Sequence, residues 1–309
     1  MNRLDRQHLL AEQKFLREHL DRLPVSARLT RMSVASKLHS VEQTLTDSPL
    51  DEHEPAHVRL TFNGRPVIST YGIFAEFGMK AVSNFTDAVA TVAASLSMDT
   101  ALAPMGPVPN REQYQLIITG SALGSFGFEL EEYRTGQLPL EEVSPVAQAL
   151  EHTQKLLAST LASDEELADS ASETDPRALD KVRTFLQTLA ENEAICTMQY
   201  REKSFRFTDP GQVNRSLARL GQDNIKEEPK VLVGEFHGVL PEGNTRTFQF
   251  VIADTRNVIR GTVGPGIRDA NIINNHLYQP VQIRVVETRV ANGRPRYLLT
   301  EMPAWDAAS

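Results

Sequence analysis

Residues 230–243 read KVLVGEFHGVLPEG. The stretch reads as a strand, and Gly234 and Gly238 suit the sharp coiling that a small closed sheet imposes. Two more extended segments follow, RTFQFVIAD (246–254) and VIRGTVGP (258–265), the second with Gly261 inside it. A helix-like DANIINNHL (269–277) comes next. VQIRVVETRV (281–290) and RPRYLLTEM (294–302) then make two last strands about an Asn292-Gly293 turn. The element order is β-β-β-α-β-β.

That order resembles the OB-fold, a five-stranded Greek-key barrel with a helix between its third and fourth strands. An SH3-like barrel is the alternative. OB barrels that hold single-stranded nucleic acid combine a cationic groove with aromatic rings on which bases stack. Here arginines and aromatics interleave. Phe248 and Phe250 share a face with Ile252 and read as core. Arg256, Arg260, Arg284, Arg294, Arg296 and Tyr297 remain as candidate ligand or nucleic-acid contacts, with Tyr297 as the stacking residue. The segment 230–302 holds 9 Lys+Arg against 6 Asp+Glu, far from the basic stripe of a dedicated DNA binder.

Upstream, ITGSALGSFGFELEEY (118–133) crowds three glycines together. A dinucleotide loop needs G-x-G-x-x-G before a helix, and a P-loop needs Gly-Lys-Ser/Thr. Neither is present. Residues on both sides of GSALG alternate with a period of two, so the stretch reads as two antiparallel strands. On the second of them Glu129 and Glu131 share a face, about 7 Å apart. Such a pair suits general acid–base work or a hard cation, and equally a solvated strand face. A strand at 58–62 runs into Asn63-Gly64, which reads as a hairpin turn. A helix with an apolar side follows over about 76–96.

Further on, Ser144-Pro145 and Asp175-Pro176 are helix starts, each an N-cap before a proline at the first helical position. The acidic run between those helices reads as a solvated turn and includes a capping box, Ser163 with Glu166. AICTMQYREKSFRFT (194–208) reads as one or two strands, and DPGQVNRSLARLG (209–221) as a short capped helix. At the N-terminal end, Leu9, Leu16, Leu20 and Leu23, then Val34, Leu38, Val41 and Leu45, mark one apolar stripe on each of two helices. Narrow seams of this kind suit packing against the rest of the chain or coiled-coil contacts with a partner.

The expected fold class is therefore α+β in three parts: a helical hairpin arm (1–50), a central α+β domain with antiparallel strands (51–222), and a small β-barrel (228–304). The net charge of −8 is uneven: residues 51–222 hold 14 Lys+Arg against 24 Asp+Glu, whereas residues 1–50 hold 8 against 6. A single cysteine, Cys196, excludes an intramolecular disulfide framework and reads as a buried core thiol. No apolar run approaches a membrane span, and the basic N-terminal residues lead into charge rather than an apolar signal core. The expectation is a cytoplasmic protein. His53 and His57, four apart in DEHEPAH, suggest zinc only if helical, and Pro55 argues for a linker. His237 and His276 stand isolated and read as structural.

No catalytic, cofactor or metal signature survives this reading. The expected function is a non-enzymatic binding or assembly protein that meets a protein partner, or itself, through residues 1–50. The first alternative is nucleic-acid binding by the barrel, in regulation or genome defence. The second is an enzyme using the central carboxylates.

Overall fold

The computed structural model describes residues 3–24, 27–47, 55–98, 100–122, 126–133, 143–221, 223–241, 246–264, 266–291 and 293–305. It divides into two compact units. One holds the N-terminal helical pair, and the other holds every strand and helix from His57 onward.

In the first unit, α1 (Arg3–Arg22) packs against α2 (Arg28–Asp47). Leu16 and Val41 are the buried residues of the seam. Salt bridges flank it, Arg17 to Glu42 and Lys37 to Glu12, both at 2.7 Å. Arg31 donates to the carbonyls of Leu20 (3.1 Å) and Leu23 (2.7 Å). It thereby satisfies acceptors that the end of α1 leaves without intrahelical partners.

The second unit begins with β1 (His57–Gly64), the short β2 (Val67–Ile68) and β3 (Gly72–Ile73), and α3 (Ala75–Leu96). Then come β4 (Leu116–Ala122), β5 (Phe126–Glu132), α4 (Pro145–Ser159), α5 (Asp164–Ser172) and α6 (Pro176–Glu191). The strands β6 (Ala194–Tyr200) and β7 (Lys203–Arg206) and the helix α7 (Pro210–Arg219) complete the region. Five strands form an antiparallel sheet in the order β4-β5-β1-β6-β7. Val58, Leu60 and Phe62 of β1 align with Cys196, Met198 and Tyr200 of β6 on one face. Helices cover that face: the rings of Phe62 and Phe77 meet edge-on at 5.4 Å, and Phe85 of α3 meets Phe185 of α6 at 5.5 Å.

The helix starts expected from sequence are in place. Ser144 accepts from the Ala147 amide at 3.1 Å, and Asp175 from the Arg177 amide at 2.9 Å, each with proline in the first turn. The paired strands around residues 123–125 are β4 and β5; those three residues lie outside the described ones.

Two expectations need correction. Asn63-Gly64 is not a hairpin turn. β1 runs through both residues, which still pair with Ile195 and Ala194 of β6. Gly64 is needed for a different reason: its φ is +104°, and a Cβ would sit 2.4 Å from the Glu193 carbonyl oxygen. The acidic run after residue 163 is not a turn but the helix α5. Its capping box bonds Ser163 to the Glu166 amide at 3.2 Å, and Leu167, Ala168 and Ala171 give it a buried side.

The C-terminal strands are β8 (Ile225–Leu240), β9 (Thr247–Ile252), β10 (Val258–Val263), β11 (Pro280–Val290) and β12 (Arg296–Leu299), with the one-turn helix α8 (Asn271–Asn274) before β11. They close into a barrel in the order β10-β12-β11-β8-β9, with β9 bonded back to β10. Numbered within the barrel, the order is 1-2-3-5-4 and back to 1, with strands three and five parallel. That is the Greek-key order of an OB-type barrel, with its helix in the expected place. Phe236, Phe248 and Phe250 fill it, with ring centroids 5.0 and 5.8 Å from Phe236. The barrel is tied to the central region by an ion pair of Arg296 with Asp169 on α5. Among the described residues no helix is long and apolar enough to cross a membrane.

Candidate functional site

In an OB-type barrel the outer wall of the second and third strands is the usual ligand surface. Here it belongs to β9 and β10, with β8 beside them. Strand alternation decides what the wall presents. Phe236, Phe248, Phe250 and Ile259 point into the barrel. Their neighbours point out: Val231 and Val233 on β8 and Val258 and Arg260 on β10 are all exposed. Val251 lies between Glu235 and Val258 in the ladder, and Gln249 is opposite Arg260. The outer side of β9 and β10 is thus mostly β-branched, with one guanidinium and no aromatic ring; beside it the exposed Tyr278, just before β11, packs on His237 of β8 at 4.9 Å.

The candidate residues scatter. Arg256 is exposed in the β9–β10 turn at φ +55°, and Arg260 stands on the wall. Arg294 is exposed in the β11–β12 connection. Among the described residues none of these three has an ion-pair partner. Arg284, on the outer side of β11, pairs with Glu301 at 3.4 Å. Arg296 is spent on Asp169. Tyr297 is turned inward, where it packs on the barrel core and hydrogen-bonds Glu287. The ring chosen from sequence as the stacking residue is therefore occupied.

Glu287 itself was not foreseen. It is opposite Glu228 on β8 and Tyr297 on β12, with its side chain only 9% exposed. Lys230 reaches it at 2.8 Å and Arg289 at 3.3 Å. Burial pushes its pKa up. The hydrogen bond and charge of Lys230, with the Tyr297 hydroxyl and Arg289, outweigh that and hold the carboxyl below its ordinary value. Burial and the adjacent carboxylate raise the Tyr297 hydroxyl. No sequence signal marks this cluster, because its members meet only through the β8–β11–β12 register.

The second candidate, Glu129 with Glu131, lies on the sheet face away from the helices. The register places His57 opposite Glu131 and Arg59 opposite Glu129. His57 Nε2 is 2.6 Å from Glu129 Oε2, and Arg59 Nη2 is 3.0 Å from Oε1. Burial raises the Glu129 carboxyl, but the Arg59 hydrogen bond and the His57 and Arg59 charges win, so it is held below its ordinary value. A carboxylate stabilised in this way is a poor proton acceptor. His57, read as linker, is the first residue of β1; His53 lies outside the described residues. Its i, i+2 spacing with Arg59 is the signal that one strand face is polar.

The remaining titratable candidates are structural in geometry. Cys196 faces the helix-covered side of the sheet, and burial pushes its thiol up to about 12. His237 pairs with Glu235 at 3.0 Å, and His276 stacks on Trp305 at 4.3 Å. Among the described residues no group of three or more His, Cys, Asp or Glu is placed to hold a metal ion. Comparison with protein-family models, with curated proteins and with solved structures gives no match.

Proposed function

We propose that this chain is a non-enzymatic binding and assembly protein of the cytoplasm that associates through its N-terminal helical pair. One observation carries the reading: the seam between α1 and α2 is only half closed. Leu16 and Val41 are buried, but Leu9, Leu20, Leu23, Val34, Leu38 and Leu45 remain half-exposed. Leu29 and Met32 on α2 are 85% and 69% exposed. Two helices alone bury one narrow line of contact, and further helices packed on the open side complete a bundle core. Under this reading the central sheet is scaffold, and the apolar barrel wall is a second protein-binding surface.

Light scattering on the full chain tests it. The chain mass is 34.4 kDa. The assembled mass is expected to be a multiple of this and to fall in the double variant Leu29→Glu/Met32→Glu, with helical content retained. An unchanged mass removes the arm from assembly.

A second reading, nucleic-acid binding by the barrel, is supported by Arg256, Arg260 and Arg294, which have no ion-pair partner among the described residues, on an OB-type frame. It is weakened because β9 and β10 turn no aromatic ring outward and the exposed Tyr278 is packed against His237, whereas stacking supplies much of single-strand affinity. Titration of the full chain with a single-stranded oligonucleotide at two salt concentrations separates the readings. Affinity that drops steeply with salt supports this one. The carboxylate reading has the least support, since Glu129 is held ionised by its neighbours.

A further inference from the structure

The five-stranded sheet ends in two outer strands that are built differently. β7 is four residues long and carries exposed Lys203 and Arg206. Charge on a short edge is a common protection against pairing with another chain. β4 is seven residues, LIITGSA, with no charge and no proline. Ile117 and Ile118 point to opposite faces and are 42% and 47% exposed.

Among the described residues the outward backbone groups of β4 have no partner. The Tyr133 amide donates to the Gln115 carbonyl at 2.9 Å, and the same register continues through Leu116↔Glu132, Ile117↔Glu131 and Ile118↔Leu130. In an antiparallel ladder, bonded pairs alternate. Gln115 and Ile117 therefore turn their backbone groups to β5, while those of Leu116 and Ile118 point away from the sheet. Among the described residues nothing bonds them.

We infer that β4 is a docking edge for a second copy of this chain, the two β4 strands pairing antiparallel about a two-fold axis at Ile117. In that register Ile117 meets Ile117 of the second copy, and Leu116 meets its Ile118. Every opposed pair is neutral, so no like charges face each other across the seam. The same operation centred on Ser204 of β7 would carry the charged Lys203 of each copy into the seam opposite Phe205. β4 brings no charge to such a pairing, whereas β7 brings Lys203 and Arg206 to its edge. The β-bulge between Ile118 and Gly120 confines the ladder to residues 115–119. This edge belongs to a different unit from the helical pair, so the inference stands apart from the arm.

A symmetric cysteine tests the register. Residues facing each other in a non-hydrogen-bonded pair have Cα atoms about 4.5 Å apart, inside the disulfide range of about 4.4–6.8 Å. In the full chain, Ile117→Cys is expected to form a covalent dimer under mild oxidation about tenfold faster than Ser204→Cys, an exposed control on β7, because pairing raises the local thiol concentration. Ile117→Lys sets two ammonium groups against each other and is expected to lower the assembled mass in light scattering, with an unchanged circular dichroism spectrum. Cross-linking no faster than the control overturns the inference, as does an Ile117→Lys mass equal to that of the parent. So does a native Ile117→Cys thiol that resists small labelling reagents, which would place some other segment on the edge. Loss of mass in the α2 variant without Ile117→Cys cross-linking leaves the arm reading intact and removes this one. Cross-linking that persists in the α2 variant shows the reverse.

Discussion

Tyr297 and Glu287 are cross-strand partners in the β11–β12 ladder, and the tyrosine hydroxyl donates to the carboxylate. The pair turns the aromatic ring of β12 inward, away from the outer side of β9 and β10. Tyr297→Phe removes the donor and keeps the ring. It is expected to cost about 1 kcal/mol of stability in urea denaturation and to leave any oligonucleotide affinity unchanged. A loss of oligonucleotide binding in a fully folded variant would return Tyr297 to the ligand surface.

Glu287 links stability to pH. Its folded pKa lies below the ordinary 4.5 because Lys230, Tyr297 and Arg289 favour the charged form. The folded state then binds fewer protons than the unfolded chain, so the contribution is complete above the ordinary value and is lost as pH falls through the lowered one. Glu287→Gln is expected to destabilise by about 2 kcal/mol at neutral pH. The gap from the parent should narrow once the parent carboxylate protonates. Urea titrations at neutral and acidic pH check this, and a gap that stays constant contradicts it.

Gly64 and Gly106 separate two kinds of glycine requirement. Both have positive φ, +104° and +102°. A Cβ on Gly64 would meet the Glu193 carbonyl at 2.4 Å, whereas a Cβ on Gly106 meets nothing within 4 Å. Both alanine variants lose the backbone preference, and Gly64→Ala pays a clash in addition. It is expected to be the more destabilised by more than about 1 kcal/mol. Equal losses in thermal melts would mean that β1 shifts to make room.

Cys196 is fully buried, with its thiol raised to about 12. A thiol-reactive dye at pH 8 is expected to leave the native chain unlabelled and to label one thiol per chain in urea. Rapid native labelling would show that the sheet–helix core opens readily.

Local signals explain which parts of this fold could be read from residues alone. Ser144, Ser163, Asp175 and Asp209 all cap helices through bonds to amides two or three positions on. The alternation in residues 248–252 marked which side of β9 is core. What failed was pairing at a distance. Asn63-Gly64 has the composition of a turn, yet β6, some 130 residues later, holds it as strand. Tyr297 has the composition of a stacking residue, yet its partner is set by the β11–β12 register. His57 reads as linker because its acidic partner, Glu129, comes from a strand that follows three intervening strands and a helix.

Most helices and strands, the helix caps, the β-β-β-α-β-β order at the C-terminal end and the apolar stripes of α1 and α2 are legible in the residues alone; the helix α5 and the continuation of β1 through Asn63-Gly64 are not. The legible features follow from backbone sterics and side-chain periodicity, which act over a few residues. Which strands are neighbours is set by long-range packing: that β10 and β12 run parallel to close the barrel, that Lys230, Glu287 and Tyr297 converge, and that β4 is left as an uncharged outer strand. Those outcomes depend on contacts between residues far apart in the chain, where burial and hydrogen-bond completion across the whole unit choose one register among many that local preference allows.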